Sequence, residues 1–174
     1  HGDKNKAKWM VDNIVTNSWN DQTDLGKPIQ ECIFELKQAY PKYAPYIVAY
    51  WYCYKDMDGG EIPGIYDVMK DLKDRGYRLY CLTNWSHETF PIVKEVYSRL
   101  FELFDGIVVS GEEKMVKPNP EIYNLLLSRY NLKASESIFI DDRQRNVDGA
   151  NQVGIHGILF KGSNELKEQL AQYL

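Results

Sequence analysis

The chain has 174 residues, a length suited to one domain, or to one core with a small insertion. A formal net charge of -4 argues against nucleic acid as the partner, because a phosphate backbone calls for a basic face. No apolar run approaches the roughly 18 residues that a membrane span requires, and no signal peptide is visible, so a cytoplasmic protein without a membrane partner is expected. Cys32, Cys53 and Cys81 are odd in number, widely spaced and without a CxxC pair, which reads as reduced thiols.

From residue 4 to residue 56 the patterns are helical. Trp9, Met10, Ile14 and Val15 recur on one face, and Ile29, Ile33, Phe34 and Leu36 do so in the next segment, with Pro28 at the first helical position. The run Tyr46–Tyr54 is apolar nearly all round and fits a buried helix better than a strand. Asp58-Gly-Gly-Glu-Ile-Pro-Gly64 is a break. Beyond it, helices and short apolar strands alternate. A helix from Ile65 to Arg75 leads to the strand Leu79–Leu82, and a helix over 88–103 leads to Gly106–Val109. A helix after Pro120 leads to Ser137–Ile140, and one over 144–153 leads to Ile155–Phe160, before a polar tail helix. That order predicts a doubly wound parallel α/β sheet over residues 61–174, preceded by a helical module over 1–60.

In an open parallel sheet, ligands sit outside the carboxyl ends of the strands. Here those ends carry Thr83-Asn84-Trp85-Ser86, then Ser110-Gly111 with Lys117-Pro118 beyond, then Asp141-Asp142. Adjacent carboxylates at the end of a buried strand repel, and a divalent cation resolves the conflict; paired oxygens with water completing the shell suit magnesium. The competing reading makes one of them a helix N-cap and leaves the other in water. Lys117, extended because it precedes Pro118, can turn its ammonium toward an anion, or it is a surface lysine beside Lys114. Thr83 and Asn84 can offer a hydroxyl and backbone N–H groups to an anion, or form a plain turn. Trp85 and His87 are expected to pack against neighbouring helices, with the substrate pocket as the alternative.

Leu82-Thr83-Asn84, Lys117-Pro118 and Phe139-Ile140-Asp141-Asp142, in this order, resemble the second, third and fourth signature motifs of the haloacid dehalogenase superfamily. The likeness continues through Phe104–Glu113 and from Asn146-Val147 to Gly154, and residues 1–60 resemble the helical cap of the subgroup containing haloacid dehalogenases and sugar-phosphate phosphatases. The resemblance implies a magnesium-dependent phosphomonoester hydrolase acting on a small phosphorylated metabolite. Thr83, Asn84 and Lys117 would bind the phosphoryl group, with Thr83 and Lys117 in the catalytic set. Asp141 and Asp142 would hold Mg2+, and Asn146 would steady that pair from behind.

The same resemblance implies an Asp-x-Asp at the end of a first strand, its first aspartate forming an aspartyl-phosphate. Asp56-Met57-Asp58 has the right letters, but Lys55 interrupts the run where a buried strand should deliver the first aspartate. We read it as a decoy, which places the nucleophile strand upstream of His1 and between the strands ending at Thr83 and Asp141. The slot would be roughly 9.5 Å wide and open to a separate N-terminal segment, leaving this chain inactive alone. The other readings are a 2-haloacid dehalogenase, which needs no metal, and a catalytically inactive binding protein.

Overall fold

The computed structural model describes residues 4–52 and 59–173. Cys53 and the Asp56-Met57-Asp58 stretch lie outside the described residues. The N-terminal part is helical, as its periodicity predicts: α1 (Lys4–Asn13), α2 (Asn17–Asp24), α3 (Ile29–Ala39) and α4 (Ala44–Tyr52). Met10, Ile14, Val15, Trp19, Ile29, Cys32, Ile33, Leu36 and Ile47 form one apolar cluster among these helices. Two positions depart from the predicted stripes. Phe34 is 62% exposed, and Trp9, 44% exposed, stacks on Tyr43 at 5.4 Å instead of entering the core. Pro28 is not the first helical residue. Its ψ of 135° makes it the extended residue that caps the start of α3.

After the break the alternation holds in order. α5 (Ile65–Asp74) precedes β1 (Tyr80–Thr83), and α6 (Phe90–Val96) with α7 (Ser98–Phe101) precedes β2 (Gly106–Val109). The single helix predicted over 88–103 is therefore interrupted at Tyr97, and the break lets Phe101 fold back edge-on against Phe90 at 5.4 Å. α8 (Ser110–Glu113) and α9 (Pro120–Arg129) precede β3 (Ile138–Asp141); α10 (Gln144–Gln152) precedes β4 (His156–Leu159), and α11 (Ser163–Leu170) follows.

The strands are parallel, and among the described residues they form two two-stranded sheets, β1–β2 and β3–β4, with β1 and β3 not paired to each other. The register runs Tyr80↔Gly106 to Thr83↔Val109 in one and Ile138↔His156 to Asp141↔Leu159 in the other. Thr83 and Asp141 therefore close corresponding strand ends. Val108, Ile122, Tyr123 and Phe139 pack between the pairs, while Val68, Leu72, Ile158 and Leu166 bind α5 and α11 to the second. Cys32 and Cys81 are thiols, not a disulfide. No helix among the described residues is long and apolar enough to cross a membrane.

Candidate active site

The site is organised around one lysine. Lys117 and Pro118 are not the extended chain predicted from the proline but the middle of a turn before α9, closed by the Asn119 amide donating to the Val116 carbonyl at 3.0 Å and with a cis peptide bond between them. Gly149 of α10 presses against this turn: an added Cβ would lie 2.5 Å from the Pro118 carbonyl oxygen and 3.0 Å from the Tyr123 hydroxyl. Only a residue without a side chain lets the helix approach so closely. The Lys117 side chain then runs inward. Its ammonium donates to the Leu82 carbonyl at 2.8 Å and to Asp141 Oδ2 at 2.7 Å, with the Phe139 ring 5.3 Å away. Leu79 accepts from Asp105 on the β2 side, so by strand alternation the Leu82 carbonyl faces the opposite edge. Lys117 thus joins the ends of the two strand pairs from between them.

Asp141 is held on every side. Oδ1 accepts from the Arg143 amide and from Asn146 Nδ2, both at 2.9 Å, while Oδ2 takes the lysine. Burial pushes its pKa up, yet the Lys117 charge and hydrogen bond, with the Arg143 and Asn146 donors, hold it below the usual carboxylate range. The tyrosine behind it responds to the same charge: burial and the Asp141 carboxylate raise the Tyr123 pKa, and its hydroxyl donates to the Asn146 carbonyl at 2.7 Å. Asp142, the next residue, is exposed.

The Asn84 side chain holds the lysine. Its side chain forms a reciprocal pair with the Lys117 backbone, Nδ2 donating to the carbonyl at 3.0 Å and Oδ1 accepting from the amide at 2.8 Å. That side chain is committed to placing the lysine, so only its backbone N–H can face a ligand. Thr83 is half-buried at the end of β1, and its hydroxyl has no hydrogen-bond partner among the described residues. The following loop is pinned by Ser110, whose Oγ accepts from the Trp85 amide at 2.9 Å, and by the Gly111 amide, which donates to the Trp85 carbonyl at 3.0 Å. The Trp85 indole N–H donates to Thr89 at 3.1 Å.

Thr83, Asn84, Lys117, Asp141 and Asn146 are thereby linked at one set of strand ends, with Asp142 adjoining through the chain. The whole set of residues 8–154 matches the family model described as haloacid dehalogenase-like hydrolase. The chain belongs to this family. Among curated members it is 36% identical over 91 residues to a sesquiterpene phosphatase of Aspergillus oryzae, covering 52% of this chain and 46% of that protein. It is 30% identical over 102 residues to a glyceraldehyde 3-phosphate phosphatase of Pyrococcus abyssi, covering 58% and 42%. The chain thus spans less than half the length of either relative. A haloacid dehalogenase family enzyme of Bacteroides thetaiotaomicron, crystallised as a magnesium complex, has the same fold at a TM-score of 0.71, with 22% identity over 96% of this chain and 87% of that one. A variant of that enzyme in complex with magnesium and inorganic phosphate is 27% identical, with a TM-score of 0.50 over 55% of this chain and 51% of that one.

Sequence reasoning about this hydrolase named Ser110 only as a strand end, without a role, and passed over Asp24. Ser110, fully buried, ties the start of α8 to the loop after Thr83. Asp24, from α2, lies within electrostatic reach of Lys117 and Arg143. Ser110 carried a signal, since it ends a strand; Asp24 carried none, because its position depends on how the N-terminal helices dock.

Proposed function

We propose that this family member is a phosphomonoester hydrolase acting on a small phosphorylated metabolite. The observation that carries the reading is the buried Lys117 ammonium, held 2.7 Å from Asp141 and 2.8 Å from the Leu82 carbonyl beside Thr83. A fixed cation at strand ends neutralises a phosphoryl oxygen without reorganising when charge develops in the transition state. Thr83 offers that group its unpartnered hydroxyl. Asn84 holds the lysine in place through both backbone groups, and Asp141 fixes the direction in which the ammonium points.

The donor set fits magnesium. Asp141 and Asp142 supply hard oxygens, and Asn146 Oδ1 is a buried acceptor with no hydrogen-bond partner among the described residues. Asp142, exposed, and Asp141 would hold the ion, and when bound it would supply charge neutralisation for the phosphoryl oxygens. Phosphatase names among the curated relatives, and magnesium in the related crystals, support this reading.

In the same reading, residues 1–60 form a helical cap that excludes water over the core of 61–174. The two strand pairs belong to one doubly wound sheet. Phosphate release from phosphomonoesters, measured with and without magnesium, tests the proposal. Magnesium-dependent release supports it; metal-independent turnover, or chloride release from chloroacetate in its place, overturns it.

A further inference from the structure

The N-terminal helices meet the candidate site at one turn. α2 ends at Asp24, and Gly26 follows with φ of +87°, a left-handed conformation that favours glycine. An added Cβ there would stand 2.7 Å from the Gly111 carbonyl oxygen and 3.2 Å from Lys114 Cγ. Gly111 is confined on its other side as well: its own Cβ would lie 2.6 Å from the His87 amide nitrogen and 2.8 Å from the Trp85 carbonyl oxygen. The turn after α2, the start of α8 and the loop after Thr83 are therefore stacked backbone on backbone. Just beyond the turn, the Ile29 amide donates to Glu88 Oε1 at 3.2 Å, fixing the turn a second time against the loop that follows β1.

This docking sets the Asp24 carboxyl near the cations of the site. Burial is the largest influence on it and, with Asp21, raises its pKa to about 6 against the opposing pull of Arg143 and Lys117. Yet its carboxyl has no hydrogen-bond donor among the described residues, although it is half-buried. A carboxyl shielded from water and left without a donor is stabilised by any donor that a ligand brings. Thr23, buried beside it, is already satisfied through the Asn20 carbonyl at 2.7 Å.

We infer that Asp24 reads the leaving group of the substrate, accepting a hydrogen bond from a hydroxyl close to the phosphoryl group and rejecting substrates with a second anionic group there. The inference rests on the phosphomonoesterase reading: with the phosphoryl group at Lys117 and Thr83, the remainder of the ester faces the turn that carries Asp24. The substrate class is then a hydroxylated monophosphate, not a bisphosphate or a phosphorylated acid.

Calorimetric titration of the protein with glycerol 1-phosphate, propyl phosphate and 3-phosphoglycerate tests this in wild type, Asp24→Asn and Asp24→Ala. Wild type is expected to bind glycerol 1-phosphate about tenfold more tightly than propyl phosphate, the value of one hydrogen bond to a charged group. It is expected to disfavour 3-phosphoglycerate by a similar factor. In Asp24→Ala the first ratio falls to about one, whereas Asp24→Asn keeps part of it and binds 3-phosphoglycerate nearly as well as glycerol 1-phosphate. Because the groups facing Asp24 are Asp21, Arg143 and Lys117, wild-type rejection of 3-phosphoglycerate also weakens as pH falls below about 6, whereas the near-equal binding of the two ligands by Asp24→Asn does not change over that range. Ratios unchanged in both variants, with binding retained, overturn the role of Asp24 alone. Failure of wild type to bind any of the three, or inorganic phosphate, overturns the phosphate-site reading and this inference with it.

Discussion

Replacing Lys117 by methionine isolates the interaction on which the site is built. The ammonium and the Asp141 carboxylate are 9% and 7% exposed, so neither is solvated by bulk water. Removing one partner leaves an uncompensated charge, a loss of about 3–5 kcal/mol for a buried pair. Two donors, the Arg143 amide and Asn146 Nδ2, remain on Oδ1 and place the expected loss near 3 kcal/mol. In a chain of this size that lowers the melting temperature by about 6–12 °C. Lys117→Met with Asp141→Asn removes both charges and should recover most of the loss, giving a coupling of about 2 kcal/mol in a double-mutant cycle followed by urea unfolding. The pH dependence has a definite sign. Asp141 has a depressed pKa in the folded protein, so its contribution is present above the unfolded value and is lost as pH falls through the folded one. The advantage of wild type over Asp141→Asn should therefore be full at pH 7 and shrink below about pH 4. A Lys117→Met cost under about 1 kcal/mol, with no coupling to Asp141, would refute the reasoning.

Asn84→Ala removes both hydrogen bonds that place the Lys117 backbone, so calorimetry should show inorganic phosphate binding about tenfold weaker, with a stability loss of about 2 kcal/mol. Gly26→Ala forces a side chain into a left-handed turn and against the Gly111 carbonyl; thermal melting should report a loss of about 1–3 kcal/mol. Asp24→Asn should stabilise the protein at pH 8. The shift from 3.8 to about 6 bounds the gain at about 3 kcal/mol, and water screening of a half-buried carboxyl reduces it to about 1 kcal/mol. Because the folded pKa is the raised one, unfolding curves should show this gain vanish as pH falls from about 6 to about 4.

Much of the core was legible because its strands are short, apolar and bounded by glycines and polar ends. Gly106–Val109 appears with the bounds its pattern predicts, and Asp141 completes β3 one residue beyond the predicted strand. What periodicity could not supply was tertiary. Phe34 lies about 100° around α3 from Ile33 and so falls off the stripe of Ile29, Ile33 and Leu36, which leaves it exposed although it was grouped with them. Asn84 is chemically suited to bind a phosphoryl group, and only the position of Lys117 reveals that its side chain is already engaged. Asp24 lies far along the chain from the motifs, and the contact that brings it near them is made by glycines with no side chain to betray it.

The most direct measurement is calorimetric binding of inorganic phosphate, with and without magnesium, to wild type and Asp142→Asn. Asp142 is exposed, so its replacement should leave the melting temperature in place and separate ion binding from folding. The account predicts that magnesium tightens phosphate binding to wild type by about tenfold, a coupling near 1.4 kcal/mol, and that Asp142→Asn abolishes the enhancement. Phosphate binding absent from wild type, or magnesium enhancement undiminished in Asp142→Asn, would contradict it.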